Sequence, residues 1–112
     1  DNVYWADAGS SVGAGGAADI AGAIRMVPKA GGSVTDVYTS AMPTDLKVVG
    51  DDLIFTDQVL GMVVRLPVAG GEATVLSMDQ SLPWRLYFHA TELLWSNAGK
   101  YEYDGSIQHF SL

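Results

Sequence analysis

The chain has 112 residues, 48% hydrophobic and 17% charged, and thirteen acidic against six basic side chains give it a formal charge of −7. This is the composition of a folding sequence, and the acid excess argues against binding a nucleic-acid backbone, which needs clustered Lys and Arg. Without cysteine there are no disulfides and no thiolate metal sites, and no apolar run is long enough to predict a membrane span.

In chain order, strands are expected near residues 2–7, 23–29, 33–38, 44–49, 52–56, 62–68, 73–77, 85–89, 92–96 and 105–111. Only Ala17-Ala18-Asp19-Ile20 suits a short turn of helix. The first strand-like phrase, Asp1-Asn2-Val3-Tyr4-Trp5-Ala6-Asp7, returns as Asp51-Asp52-Leu53-Ile54-Phe55-Thr56-Asp57 and again as Thr91-Glu92-Leu93-Leu94-Trp95-Ser96-Asn97. A second phrase, from Gly22 to Gly32, returns from Gly61 to Gly71, and its third copy from Gly105 to Leu112 has drifted. A strand-rich period near forty residues is the signature of propeller blades, four-stranded sheets that cannot bury their faces alone.

The expected architecture is therefore all-β: a propeller fragment of about three four-stranded blades, half of a six-bladed ring. Residues 1–39 form a blade lacking its innermost strand, 43–79 a complete blade, and 83–112 a blade lacking its outermost strand. Both faces of the third strand carry apolar columns, Ile24/Val63/Ile107 and Val27/Leu66/Phe110, as a blade sandwiched between neighbours requires. Trp5, Phe55 and Trp95 share one column and are expected to be buried. Asp7, Asp57 and Asn97 share another, suited to bonding the backbone of the following turn. The chain opens at Asp1 inside a strand-like phrase, as a fragment or processed product does. Further blades, from the same precursor or from a second copy, are the expected partners.

The pattern Pro-x-x-Leu-x-Val, then Leu-x-Phe/Trp-x-Asp, then Ile/Val-x-Arg followed by Gly-Gly, resembles the YWTD-type six-bladed propellers of the lipoprotein-receptor family. Tyr4-Trp5-Ala6-Asp7 and Phe55-Thr56-Asp57 carry the resemblance most fully. Val49 and His89 stand where that family carries Asp, and the receptors' cysteine-bearing modules are absent. The resemblance thus points to a bacterial-type relative and implies an extracellular or periplasmic setting.

No Ser-His-Asp spacing, nucleophile elbow or phosphate loop is recognisable, and His89 and His109 lack partners at metal-ligand spacing. Neither catalytic residues, metal site nor cofactor is expected. The copies differ most between second and third strands: about ten extra residues within 8–21, and Lys100-Tyr101-Glu102-Tyr103-Asp104 in the last copy. That connection and the entry to the innermost strand open on one face of a blade. Met42, Trp84, Tyr101, Tyr103 and Asp19 are therefore the candidate rim-binding residues.

Two functions follow. The first is a non-catalytic scaffold or recognition module binding a protein or a glycan through this rim. The alternative is part of a lactonase- or lyase-like enzyme with its chemistry in a central channel, for which Asp45 and Arg85 are the candidates.

Overall fold

A computed structural model describes residues 1–9 and 21–112. The described residues contain ten strands and no helix: β1 (Asn2–Asp7), β2 (Gly22–Pro28), β3 (Thr35–Ser40), β4 (Pro43–Val49), β5 (Asp52–Asp57), β6 (Met62–Pro67), β7 (Thr74–Ser77), β8 (Pro83–His89), β9 (Glu92–Asn97) and β10 (Ser106–Ser111). Every strand expected from the sequence forms, with ends within two residues. The helical turn expected at residues 17–20 lies outside the described residues.

All neighbouring strands are antiparallel and consecutive in the chain, and they form three sheets. The first is β1-β2-β3, the second β4-β5-β6-β7, and the third β8-β9-β10; the three do not close into a ring. The register repeats from sheet to sheet. Trp5 faces Arg25, Phe55 faces Val64 and Trp95 faces Gln108 across the strand pair, so the sequence columns are also structural columns. The ends repeat as well: Lys29, Val68 and Leu112 each donate a backbone N–H to the carbonyl of Asp1, Asp51 and Thr91.

Two bulges recur at matching places. Thr44 is an extra residue between the Pro43–Asp57 and Asp45–Thr56 pairs, and the same slip accompanies Pro83 in β8. Proline cannot donate to the ladder, so the strand enters its sheet through a bulge. Val37 in β3 and Leu76 in β7 are likewise extra residues, and each bulge turns an apolar side chain toward a core.

The sheets stack in chain order. Ile24, with Tyr4 and Ala6, packs on Leu53, Phe55, Val64 and Leu66 of the second sheet. The opposite face of that sheet, through Ile54 and Val63, packs on Leu86, Leu93 and Trp95 of the third. Strand β4 lies against both β1 and β8, so the stack is tied together along that side.

Burial separates the aromatic column. Phe55 is inaccessible and Trp95 nearly so, but Trp5 is only half-buried, contrary to the expectation from its column. The reason is position: Trp5 lies on the face of the first sheet that no other sheet covers. The apolar columns of the third strand divide the same way, with Ile24 and Val63 buried and Ile107 exposed.

Truncating Phe55→Ala should cost about 3–5 kcal/mol in urea unfolding, the range for a fully buried aromatic. Trp5→Ala should cost clearly less in the same assay, because its ring is only half-buried.

Candidate functional site at the rim between the second and third sheets

The ends of β1, β5 and β9, and the starts of β4 and β8, lie on one rim of the stack: Pro43 pairs with Asp57 and Pro83 with Asn97. Asp57 organises the junction between the first and second sheets. Its carboxylate is fully buried and accepts the Met42 N–H at 2.9 Å, the Leu60 N–H at 2.8 Å and the Ser40 hydroxyl. A buried carboxylate is tolerated because several aligned donors replace its water. Asp7 plays the simpler local part, accepting from Gly9 N–H at 2.9 Å and from Arg25 at 2.7 Å.

At the junction between the second and third sheets the same columns hold neutral side chains. Gln80 stands where Ser40 stood and Asn97 where Asp57 stood. The Gln80 Oε1 accepts the Trp95 indole N–H at 2.9 Å and the Asn97 amide at 2.8 Å. Asn97 also reaches Ser106, leaving its own buried Oδ1 without a partner. Asn97 thus departs from the turn-bonding role expected of its column. Gly61 is required here: a Cβ on it would lie 2.6 Å from the Gln80 carbonyl, and its φ is 65°.

Three of the four non-glycine residues with positive φ among the described residues lie at or beside this second junction; the fourth, Ala90 at 54°, is in the β8–β9 turn. Asp79 and Leu82 have φ of 59° and 55°, and Tyr103 in the neighbouring loop has 66°. Left-handed conformations are costly for residues with side chains and concentrate at sites of function. Asp79 and Leu82 help line a polar cleft of about 290 Å³ with Gln58, Gly61, Gln80 and Lys100. The loop beside it is folded by Asp104, which accepts the N–H groups of Lys100 and Tyr101. Gly99 permits that fold, since any Cβ there would overlap the Asp104 carboxylate.

The candidate rim residues divide. Tyr101 and Tyr103 are 81% and 99% exposed beside this cleft, and Trp84 is 41% exposed, turned out by its bulge. Arg85 places its guanidinium 5.8 Å from the Trp84 ring centre, a cation–π contact. Met42 is half-buried at the other junction, where its backbone serves Asp57 and Gln58. Asp19 lies outside the described residues.

The channel candidates do not meet as a reactive pair. Asp45 accepts the backbone N–H groups of Leu46 and Leu86, at 2.9 and 2.8 Å, and pairs with Lys47 at 3.2 Å. Its task is to tie β4 to β8. Next to it the Thr56 hydroxyl donates to the Trp84 carbonyl at 3.2 Å, satisfying a group freed by the bulge. Sequence reasoning missed Gln58, Asp79 and Gln80; the one available signal was that Gln80 and Asn97 change together relative to Ser40 and Asp57. Among the described residues no group of three acidic or histidine side chains could hold a metal ion.

On the opposite rim Glu92 accepts the Ser111 hydroxyl at 2.6 Å and lies 3.4 Å from His109. The Ser111 hydrogen bond above all holds its carboxyl below the ordinary glutamate range against the opposing desolvation, with His109 adding a smaller pull in the same direction. A depressed folded value means that the stabilisation is present above the unfolded value and lost as pH falls through the folded one.

Replacing Asp57→Ala should destabilise the chain by about 3 kcal/mol or more, because orphaned buried donors cost about 1–3 kcal/mol each. Gln80→Ala should cost about 1–3 kcal/mol by the same reasoning and remove the protection of the Trp95 indole proton from exchange. In an NMR titration the Glu92 carboxyl should protonate below the ordinary glutamate range. Ser111→Ala should move it back up.

Comparison with known proteins finds no matching family model, no matching curated protein and no matching solved structure.

Proposed function

We propose that this chain is a non-catalytic β-propeller module of the YWTD type that recognises a protein through the rim between its second and third sheets. The blade reading is supported by the repeated register, by the stacking of the sheets in chain order, and by β4 lying between β1 and β8. The observation that carries the recognition reading is the strained backbone. Asp79 and Leu82, both with positive φ, line a polar cleft, and Tyr103, a third, sits with exposed Tyr101 in the loop whose Lys100 reaches that cleft. Among the described residues, the equivalent junction between the first and second sheets has no non-glycine residue of positive φ in its β3–β4 connection, where Asp79 and Leu82 have their counterparts. Tyrosines standing out from a scaffold offer contact area at low entropic cost. Asp45, the acid that the enzymatic alternative would use, is bonded to two backbone N–H groups and a lysine, which favours the binding function.

The test pairs an affinity capture from the native source with a glycan array, using the natural chain and a Tyr101→Ser/Tyr103→Ser double variant. The expected result is a protein ligand that the variant binds at least tenfold more weakly at unchanged melting temperature. The ligand should shift the amide signals of residues 58–61, 79–82 and 99–104. Binding only on the glycan array would replace the protein ligand with a carbohydrate, and equal binding by both chains would remove the rim from the site.

A further inference from the structure

No sheet among the described residues covers the two outermost faces of the stack, and they are the two halves of an interface that the chain already forms twice. At the first internal interface Tyr4 and Ile24 press on Leu53, Phe55 and Leu66. At the second, Ile54 and Val63 press on Leu93, Trp95 and Phe110. Through the repeated register these are the same columns: position 4 with 54 and 24 with 63 on the pressing face, and 53 with 93, 55 with 95 and 66 with 110 on the receiving face. The third sheet carries the pressing columns once more as Leu94 and Ile107, joined by Tyr87, and leaves them open. Ile107 is 68% and Tyr87 62% exposed, and with Arg85 and Ser96 they line an open apolar depression of about 310 Å³. At the other end the first sheet shows the receiving columns as Val3, Trp5 and Val27, with Val3 46% exposed.

The geometry points to head-to-tail association, in which the Val3, Trp5 and Val27 face of a second copy of this chain seats on Tyr87, Leu94 and Ile107. The occupant is a second copy because one chain carries both complementary halves, each in the register that the internal interfaces use. Pairing two third sheets face to face would set the pressing columns against themselves, an arrangement found at neither internal interface. The contact is heterologous, so it propagates until a ring closes or an end is blocked. Apolar sheet faces of this kind are association surfaces. The inference rests on the internal stacking and not on the rim ligand.

Light scattering coupled to gel filtration on the 112-residue chain reads the outcome. The unaltered chain should elute at a multiple of 11.9 kDa that grows with concentration. Ile107→Glu and Val3→Glu change exposed side chains at opposite ends, and each variant alone should be monomeric. An equal mixture of the two should recover a species of two copies and no larger one, since each variant retains the half that the other has lost. A natural chain that stays monomeric at every concentration overturns the proposal. So does either variant that associates as fully as the natural chain, which would mean pairing of like faces or of the free strand edges. Should circular dichroism show that a glutamate variant has not folded, the absence of native cysteine allows a second measurement. Val3→Cys and Ile107→Cys chains, mixed and treated with a bis-maleimide, should give mainly the mixed product; equal yields from each variant alone overturn the assignment.

Discussion

Strand β5 has a sheet on each side, and that double burial organises the molecule. From Leu53 to Asp57 its side chains are shut off from water. Leu53 and Phe55 serve one core, and Ile54 the other. Each fully buried aliphatic or aromatic side chain contributes about 1.5–3 kcal/mol relative to exposure, so one short strand anchors both cores. Its polar end inherits the same constraint. Thr56 and Asp57 cannot reach solvent, and they satisfy themselves by holding the Trp84 carbonyl on one side and Ser40, Met42 and Leu60 on the other. The two sheet junctions are therefore fixed from the centre outward.

The strands and their faces were legible in the sequence because both rest on periodicity: two residues along a strand and about forty between copies. What escaped was what periodicity does not encode. The bulges at Val37 and Leu76 insert one residue without any compositional mark, unlike those that follow Pro43 and Pro83. Asp45 looked like a free acid, since nothing local announces that its partner is the Leu86 N–H, forty-one residues away. Trp5 shares a column with Phe55 and Trp95, yet a column gives a residue's face and not whether another sheet covers it. Leu82 in a left-handed conformation runs against the preference of its residue type, so no propensity argument could have placed it.

The rim and the faces obey different rules. The faces repeat because stacking sheets must mate in one register. The rim carries charge at one junction, through Asp57, and neutral amides at the next, through Gln80 and Asn97. Connections on a repeated scaffold are free to diverge in this way, and they are where proteins place recognition. The polar cleft beside Gln80 and the Asp104-folded loop with its two exposed tyrosines both belong to the divergent part.

Among the described residues each strand bonds to neighbours adjacent in the chain, and each sheet packs on the sheet before or after it. Such a molecule stores its free energy as a short linear series rather than as one undivided core. Opening can begin at either end and move inward, so amide protons should form a gradient of exchange with solvent. Those of β5 and β6 sit at its slow end, retained until the central sheet loses both companions. Those of β1 and β10 sit at the fast end, where an outer sheet can part from the series while the remaining two keep their shared core.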